Sequence, residues 1–183
     1  MAIPSKEEKI LELFLQSSSL KLWRFEEIVR KTKMARNSVN KWLIRFQKEG
    51  IIKKIKKKNK FPYFVSDFHN PRFKAKKRLY ALNKFYQTGF LPHLMNLKKA
   101  KTVVIFGSFS RADWYKGSDI DLFVFGSSEG FDKFKFQSKL KREIEVYEYS
   151  GVKEIKKISS GLIKNVINGY VVKGRIQDFA EVS

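Results

Sequence analysis

Two apolar, β-branched runs in the second half of the chain constrain its fold most strongly. Residues 102–106 read TVVIF and residues 117–125 read GSDIDLFVF. Runs of this kind are typical of strands buried in a sheet. The first run ends abruptly at Gly107-Ser108, and the second places Asp119 and Asp121 two residues apart, so both carboxylates share one strand face. We therefore expect a sheet edge that presents a tight turn beside two carboxylates.

This pairing of a glycine turn with two carboxylates indicates a chemistry. A glycine lets backbone N–H groups approach a phosphate, and a helix that starts there adds free donors. Carboxylates this close repel each other, and the usual reasons to keep them are a divalent cation or a shared proton. The chain has no cysteine and two histidines, which excludes disulfides, thiolate zinc sites and cysteine nucleophiles. Any metal must bind oxygen ligands.

The order and spacing of these residues resemble the nucleotidyltransferase superfamily that includes DNA polymerase beta and kanamycin nucleotidyltransferase, and more closely its minimal stand-alone members in archaea and bacteria. The resemblance covers residues 101–150 best and implies a mixed sheet with flanking helices over 101–183. One departure is Ala112-Asp113, where small stand-alone members usually have glycine after the arginine. The matching residues are Gly107, Ser108, Arg111, Ser118, Asp119, Ile120, Asp121 and Leu122.

The resemblance implies a Mg²⁺- or Mn²⁺-dependent transfer of a nucleoside monophosphate from a nucleoside triphosphate such as ATP to an acceptor. Asp119 and Asp121 would be catalytic metal ligands, and Gly107, Ser108, Arg111 and Ser118 would bind the nucleotide. Arg111 would either neutralise phosphate or pair with a carboxylate. Similar minimal domains act as antitoxins that modify a paired toxin, so a partner protein is one expected acceptor. The acceptor itself is not readable from the sequence.

A third catalytic and metal-binding carboxylate is expected in residues 144–149, which read IEVYEY. The superfamily usually takes this group from a neighbouring strand, flanked by apolar residues. Glu145 fits that pattern best and Glu148 is the alternative, and in a strand the two face opposite sides. If neither glutamate meets the aspartates, nucleotide sensing without turnover becomes the better interpretation.

Charge is distributed unequally along the chain. Residues 1–100 contain 25 Lys and Arg against 7 Asp and Glu, whereas residues 101–183 contain 14 against 11. The excess of +18 in the first part indicates a module with a polyanionic partner, joined to a module with a different role. A lysine-rich solvated surface is the alternative explanation.

The first part resembles a winged helix-turn-helix domain over residues 5–66. Apolar residues recur at helical spacing in 5–16, 24–31 and 37–48, and 51–55 and 61–65 read as two strands around a basic tip. The resemblance implies a helix in the major groove of duplex DNA and a wing on phosphate, although such domains also bind proteins. The expected contacts are Arg36, Asn37, Ser38, Asn40, Lys41, Lys56, Lys57, Lys58 and Lys60.

Together these patterns predict an α+β protein with three parts. Residues 1–66 form the winged helix-turn-helix, residues 67–100 a helical connector, and residues 101–183 the nucleotidyltransferase domain. Without a signal-peptide pattern or a long apolar run, we expect a cytoplasmic chain that does not enter a membrane. Two functions follow: a DNA-binding nucleotidyltransferase, or a DNA-binding transcriptional regulator whose C-terminal domain binds nucleotide without catalysis.

Overall fold

The computed structural model describes residues 5–56, 58 and 60–180. The chain divides into two units, Met1–Lys77 and Arg78–Ser183. The stretch predicted as a separate connector, 67–100, contains two helices, α4 (Pro71–Gln87) and α5 (Phe90–Met95). The division between the units falls within α4.

Before α4, the described part of the first unit contains three helices and a three-stranded antiparallel sheet. The sheet order is β1-β3-β2. The two-residue strand β1 was not predicted, because a segment this short has no periodicity to detect. The elements are α1 (Lys6–Leu15), β1 (Trp23–Arg24), α2 (Phe25–Thr32), α3 (Arg36–Lys48), β2 (Ile52–Ile55) and β3 (Tyr63–Ser66).

Local signals explain where these helices begin and which face they bury. Ser5 caps α1: its hydroxyl accepts from the Glu8 N–H at 3.1 Å, and the Ser5 N–H donates back to the Glu8 carboxylate at 2.7 Å. This reciprocal arrangement satisfies two N–H groups that helix geometry leaves without partners. On α3 the buried residues are Val39, Leu43 and Phe46. Trp42 is half-buried.

The second unit is built on a four-stranded mixed sheet with the order β6-β5-β4-β7. Strands β5 and β6 are parallel, whereas β4 is antiparallel to both β5 and β7. The elements after α5 are β4 (Ala100–Phe106), α6 (Ser108–Arg111), β5 (Ile120–Gly126), α7 (Lys133–Leu140), β6 (Ile144–Tyr149), α8 (Val152–Ile155), α9 (Ser160–Ile167), β7 (Tyr170–Lys173) and a 3-10 turn (Ile176–Asp178).

Alternation along the two central strands gives this sheet two apolar faces. One face carries Ile120, Leu122 and Val124 and packs in a cluster with residues of α4, α5 and α7. The other carries Phe123 and Phe125 and packs with residues of α8, α9 and the C-terminal turn. Because β5 is covered on both sides, its sequence is nearly continuous in apolar residues. Asp121 interrupts this run on the same face as Phe123.

The architecture is therefore α+β with a mixed sheet, as predicted. Within the described part of the chain, every helix is too short or too polar to traverse a bilayer.

Candidate active site

The turn after β4 can accommodate only glycine. Gly107 has φ +69° and ψ −137°, a backbone conformation open essentially to glycine alone. A Cβ atom built at Gly107 would lie 1.9 Å from the Asp121 Oδ2 atom. The absence of a side chain at Gly107 thus lets the strand end come directly against the Asp121 carboxylate.

The two predicted aspartates lie at the start of β5. Asp121 is the second residue of the strand and pairs with Phe106 at the end of β4. Asp119 lies one residue before the strand, so the expectation that it belongs to the strand was wrong by one position. Residues 112–119 connect α6 to β5 without helix or strand, and this connection sets the position of Asp119.

The neighbouring strand contributes Glu145. In the parallel pairing of β5 with β6, Glu145 is the register partner of Asp121, and Tyr147 is the partner of Phe123. Glu145 and Tyr147 therefore share one face of β6. Glu148 is aligned with Val124 instead. Its carboxylate accepts the Ser128 N–H at 2.9 Å and also binds the Ser128 hydroxyl, which lowers the pKa of Glu148.

Charge at Asp121 is disfavoured. Partial burial raises the pKa of Asp121 above its ordinary value, and the negative charges of Glu145 and Asp119 raise it further. The Arg111 guanidinium opposes this effect. Glu145 and Asp119 are thus each near enough to Asp121 to disfavour its negative charge. A bound divalent cation would relieve this repulsion.

Tyr147 holds the third carboxylate. Its hydroxyl donates to the Glu145 Oε2 atom at 2.8 Å, and this hydrogen bond, with burial, raises the pKa of Tyr147 to about 12. Its ring lies edge-on to that of Phe106, with centroids 5.4 Å apart. The sequence offered one signal for this contact, since residues two apart on a strand share a face.

The carboxylate oxygens of these residues are suitable ligands for a hard divalent ion, although they are not arranged around one metal position. Among the described residues, no group of three or more His, Asp and Glu side chains is arranged to hold a metal. The hydrogen bond from Tyr147 engages the Glu145 carboxylate within its own strand. Asp119, Asp121 and Glu145 supply only carboxylate oxygens, the ligands that Mg²⁺ and Mn²⁺ prefer.

Two of the predicted nucleotide-binding residues, Arg111 and Ser118, form hydrogen bonds within the chain. The Arg111 Nε atom donates to the Asp113 Oδ2 atom at 2.9 Å, which is the carboxylate pairing considered as an alternative. The Ser118 hydroxyl accepts the Tyr115 N–H at 2.9 Å and so closes a turn before Asp119. Ser108 is half-buried at the start of α6.

Ala112 explains one departure from the expected pattern. It ends α6 in the left-handed region, with φ +60° and ψ +31°. Glycine adopts this region without a steric penalty, whereas an alanine pays about 1–2 kcal/mol. The expected glycine would suit the conformation that the chain nevertheless adopts here.

Arg142, just before β6, was not found from the sequence. It donates to the carbonyl oxygens of Tyr115 and Ser118, both at 2.7 Å. Nothing in the sequence links residue 142 to residues 115 and 118, because only the fold brings them together.

Comparison with known families gives a match that lies mostly within the second unit. Residues 91–177 match the family described as Polymerase beta, Nucleotidyltransferase. This segment is therefore similar to nucleotidyltransferase domains. The match begins within α5 and ends within the 3-10 turn. It therefore includes four of the residues described above: Gly107, Asp119, Asp121 and Glu145.

Solved structures similar to this chain include toxin–antitoxin complexes. One, solved with AMP-PNP, is 22% identical with a TM-score of 0.36, covering 52% of this chain and 75% of that chain. A mutant MntA–HpeT toxin–antitoxin complex is 22% identical with a TM-score of 0.34, covering 53% of this chain and 75% of that chain. A comparison with curated proteins gave no significant match.

The residues predicted to contact DNA lie in the first unit and are mostly exposed. Arg36 forms an ion pair with Glu26 at 2.6 Å, so part of its charge is neutralised. Ser38 is half-buried. Lys57 lies outside the described residues. The remaining predicted contacts are exposed: Asn37, Asn40, Lys41, Lys56, Lys58 and Lys60.

Proposed function

We propose that the second unit transfers a nucleoside monophosphate from a nucleoside triphosphate to an acceptor hydroxyl, with Mg²⁺ or Mn²⁺ as cofactor. The single observation that carries this proposal is the alignment of Asp121 with Glu145 across β5 and β6, beside a turn that tolerates only glycine. The family match over residues 91–177 supports the same reaction class.

Each carboxylate has a part in this reaction. Asp119, Asp121 and Glu145 would hold the divalent ions, which supply positive charge to the triphosphate and to the attacking oxygen. The acceptor oxygen forms a bond to the α-phosphorus while the bond to the pyrophosphate oxygen breaks. The proton of the acceptor hydroxyl passes to Glu145 or to water. A carboxylate has two oxygens, so the hydrogen bond from Tyr147 to Oε2 can persist while Oε1 of Glu145 binds metal.

The remaining groups would bind the anionic nucleotide. Backbone N–H groups beside Gly107 and the Ser108 hydroxyl would donate to phosphate oxygens. Arg111 lies near enough to Asp121 to lower its pKa, so it can also compensate phosphate charge. Its ion pair with Asp113 keeps its planar fork in one orientation and leaves other N–H donors for a ligand.

The test is transfer of an α-phosphate label. The full chain is incubated with α-labelled ATP, CTP, GTP or UTP, Mg²⁺ or Mn²⁺, and candidate acceptors that include partner proteins encoded beside it. We expect label on an acceptor together with pyrophosphate release, and loss of both in Asp119→Asn and Asp121→Asn. Pyrophosphate release that is equal in wild type and both variants would exclude this site as the catalytic one.

One observation favours a binding-only function, in which the domain senses a nucleotide without turnover. Among the described residues, Asp119, Asp121 and Glu145 are not arranged around one metal position, and a domain fixed in this state would lack its third ligand. Calorimetry with Mg²⁺ and a nucleoside triphosphate separates the two functions. Binding without pyrophosphate release, unchanged in Glu145→Gln, would support the sensor, whereas release that depends on Glu145 would support the transferase.

We further propose that the first unit is a winged helix-turn-helix that binds duplex DNA. Three helices followed by a hairpin, the exposed polar face of α3 and the cationic tip between β2 and β3 support this proposal. Such a module would place α3 in the major groove and the tip on phosphate. A transcriptional role for the whole chain rests on this binding.

Salt dependence tests the DNA proposal. The logarithm of affinity should fall linearly with the logarithm of salt concentration, at about 0.9 per phosphate contact. The double variant Lys56→Gln/Lys58→Gln should flatten this slope by up to about two units. Lys6→Gln, an exposed lysine on α1, is the control. Equal slopes in wild type and double variant would remove the hairpin tip from the contact surface.

A further inference from the structure

The connection between α6 and β5 carries a metal ligand of the proposed transferase and has little regular structure. Residues 112–119 contain neither helix nor strand, yet they end at Asp119. A ligand on such a segment needs other contacts to fix it, because a small displacement is enough to spoil metal coordination. The contacts that fix this segment therefore bear on the site.

Arg142 supplies two of these contacts through one nitrogen. Its Nη1 atom donates to the carbonyl oxygens of Tyr115 and Ser118, each at 2.7 Å. The Ser118 carbonyl belongs to the peptide group that also contains the Asp119 nitrogen, and that group is planar. Holding the Ser118 oxygen therefore fixes the orientation of the backbone that enters Asp119.

Aromatic rings fix the guanidinium of Arg142 itself. Its central carbon lies 5.2 Å from the ring centroid of Trp114 and 5.3 Å from that of Phe109. These two rings are stacked, with centroids 5.3 Å apart and 9° between their planes. Trp114 is only 1% exposed, so the rings form a rigid support. Planar guanidinium groups suit such surfaces, and lysine does not reproduce this geometry.

The charge of Arg142 also acts toward Asp119. Burial lowers the pKa of Arg142, while the negative charge of Asp119 acts in the opposite direction. An arginine stays protonated in proteins in spite of such burial. The permanent positive charge of Arg142 therefore lies near Asp119. Arg142 itself is in the segment that leads into β6 and Glu145.

We propose that Arg142 is a positioning residue that orders the 112–119 connection and thereby holds Asp119 in place to bind a divalent metal. This role rests on the proposed function, in which Asp119 is a metal ligand. Arg142 acts through the backbone of Tyr115 and Ser118, and it couples the start of β6 to the start of β5. The two strands that supply the carboxylates are thus fixed to each other at their entrance.

Two variants and one control test this role in the full chain. Arg142→Lys keeps the charge but ends about one bond shorter and loses the planar group. Arg142→Met keeps an apolar stem and removes both donors. Arg78→Lys is the control, because Arg78 also donates to a backbone carbonyl, that of Ser110 at 3.0 Å, outside the connection.

The first measurement is hydrogen exchange of residues 113–119, together with Trp114 fluorescence. The Ser118 N–H donates to the Tyr115 carbonyl at 3.0 Å, and the Tyr115 N–H donates to the Ser118 hydroxyl. Both amides should exchange faster in Arg142→Lys and Arg142→Met than in wild type and Arg78→Lys, with β4 and β5 unchanged. Unchanged exchange in both Arg142 variants would overturn the proposal.

The second measurement is a titration with Mn²⁺, monitored by calorimetry. Residues that orient metal ligands typically contribute about 10–100-fold to metal affinity, so we expect Mn²⁺ binding to weaken by at least about tenfold in Arg142→Lys and to hold in Arg78→Lys. Faster exchange with unchanged Mn²⁺ affinity would overturn the link to Asp119. If wild type binds no Mn²⁺, the proposed function fails, and hydrogen exchange alone still decides whether Arg142 orders the connection.

Discussion

Asp121 has charged neighbours whose net effect opposes its ionisation. Glu145 and Asp119 add to the effect of burial, and Arg111 only partly compensates. The folded chain therefore binds the Asp121 proton more tightly than the unfolded chain does. The stability that this raised pKa contributes is fully present below the unfolded pKa and is lost as pH rises through the folded pKa of Asp121. A bound cation would offset this loss.

We expect Asp121→Asn to raise the melting temperature at pH 7 when metals are removed by a chelator. The neutral amide avoids the cost of a charged group at this position, and the advantage should disappear near pH 3, where wild type is protonated. Thermal unfolding followed by circular dichroism at both pH values measures the difference. Glu143→Gln, which changes an exposed carboxylate, is the control. A variant that melts below wild type at pH 7 would contradict this charge balance.

Gly107 and Asp121 approach each other so closely that a side chain at residue 107 must displace the carboxylate. Gly107→Ala should lower the free energy of unfolding by about 2–4 kcal/mol, since overlap adds to the strain of a positive φ. Gly130→Ala is the matched control: its φ is +87°, and no heavy atom lies within 4 Å of the added Cβ. Urea denaturation should give the control a cost of about 1 kcal/mol from strain alone. Equal losses would mean that the carboxylate moves away freely.

At the scale of whole elements, several boundaries are set by conformations that the residue type does not favour. The helix α7 ends at Lys141, which has φ +53° in the left-handed region and an exposed side chain. Glycine is the usual residue at such helix ends because it has no Cβ to strain. The chain therefore stores strain at a position where its side chain makes no described hydrogen bond.

Lys141→Gly should stabilise the protein by about 0.5–1 kcal/mol, as the gain from a strain-free left-handed residue exceeds the entropy that glycine loses on folding. Lys141→Ala removes the side chain but keeps the Cβ, so it should leave stability nearly unchanged. Urea denaturation of the three proteins gives the comparison. A glycine variant less stable than the alanine variant would show that the left-handed strain at this helix end is negligible.

Elements with a strong local pattern were predictable from the sequence, and contacts between distant elements were not. The apolar runs of β4 and β5 were predicted because burial on both faces leaves a continuous hydrophobic sequence. Strand alternation predicted that Glu145 and Glu148 face opposite sides, whereas the choice of Glu145 rested on its apolar neighbours, Ile144 and Val146. By contrast, α8 is a single helical turn of four residues, too short to show a period. The contact of Arg142 with the Tyr115 carbonyl depends on tertiary structure that no local pattern encodes.

At the scale of the molecule, the sheet of the second unit is completed by its last described residues. The buried Thr102 hydroxyl donates to the Asp178 carboxylate at 2.7 Å. The Phe179 ring packs on Phe123 with centroids 4.7 Å apart and on Phe125 at 6.1 Å. The C-terminal turn therefore closes the apolar face from which Asp121 and Glu145 emerge.

Phe179→Ala should lower the free energy of unfolding by about 3–5 kcal/mol, the usual cost of removing a buried phenylalanine ring. Phe134→Ala is the control, because the Phe134 side chain is 83% exposed and its loss should cost little. Chemical denaturation measures both. A loss below about 1 kcal/mol for Phe179→Ala would mean that the turn can leave the sheet without exposing the core.

The position of Phe179 separates two definitions of where this domain stops. Similarity to the family ends at residue 177, whereas the packing that encloses the sheet continues through Phe179. A chain cut at the family boundary would keep every proposed ligand and yet expose the aromatic rings beneath them. Such a fragment would tend to self-associate through that surface. If it failed to turn over nucleotide, the cause would be the lost packing beneath the ligands and not the absence of a reactive residue. A shortened version of this domain should therefore include every side chain that covers the sheet.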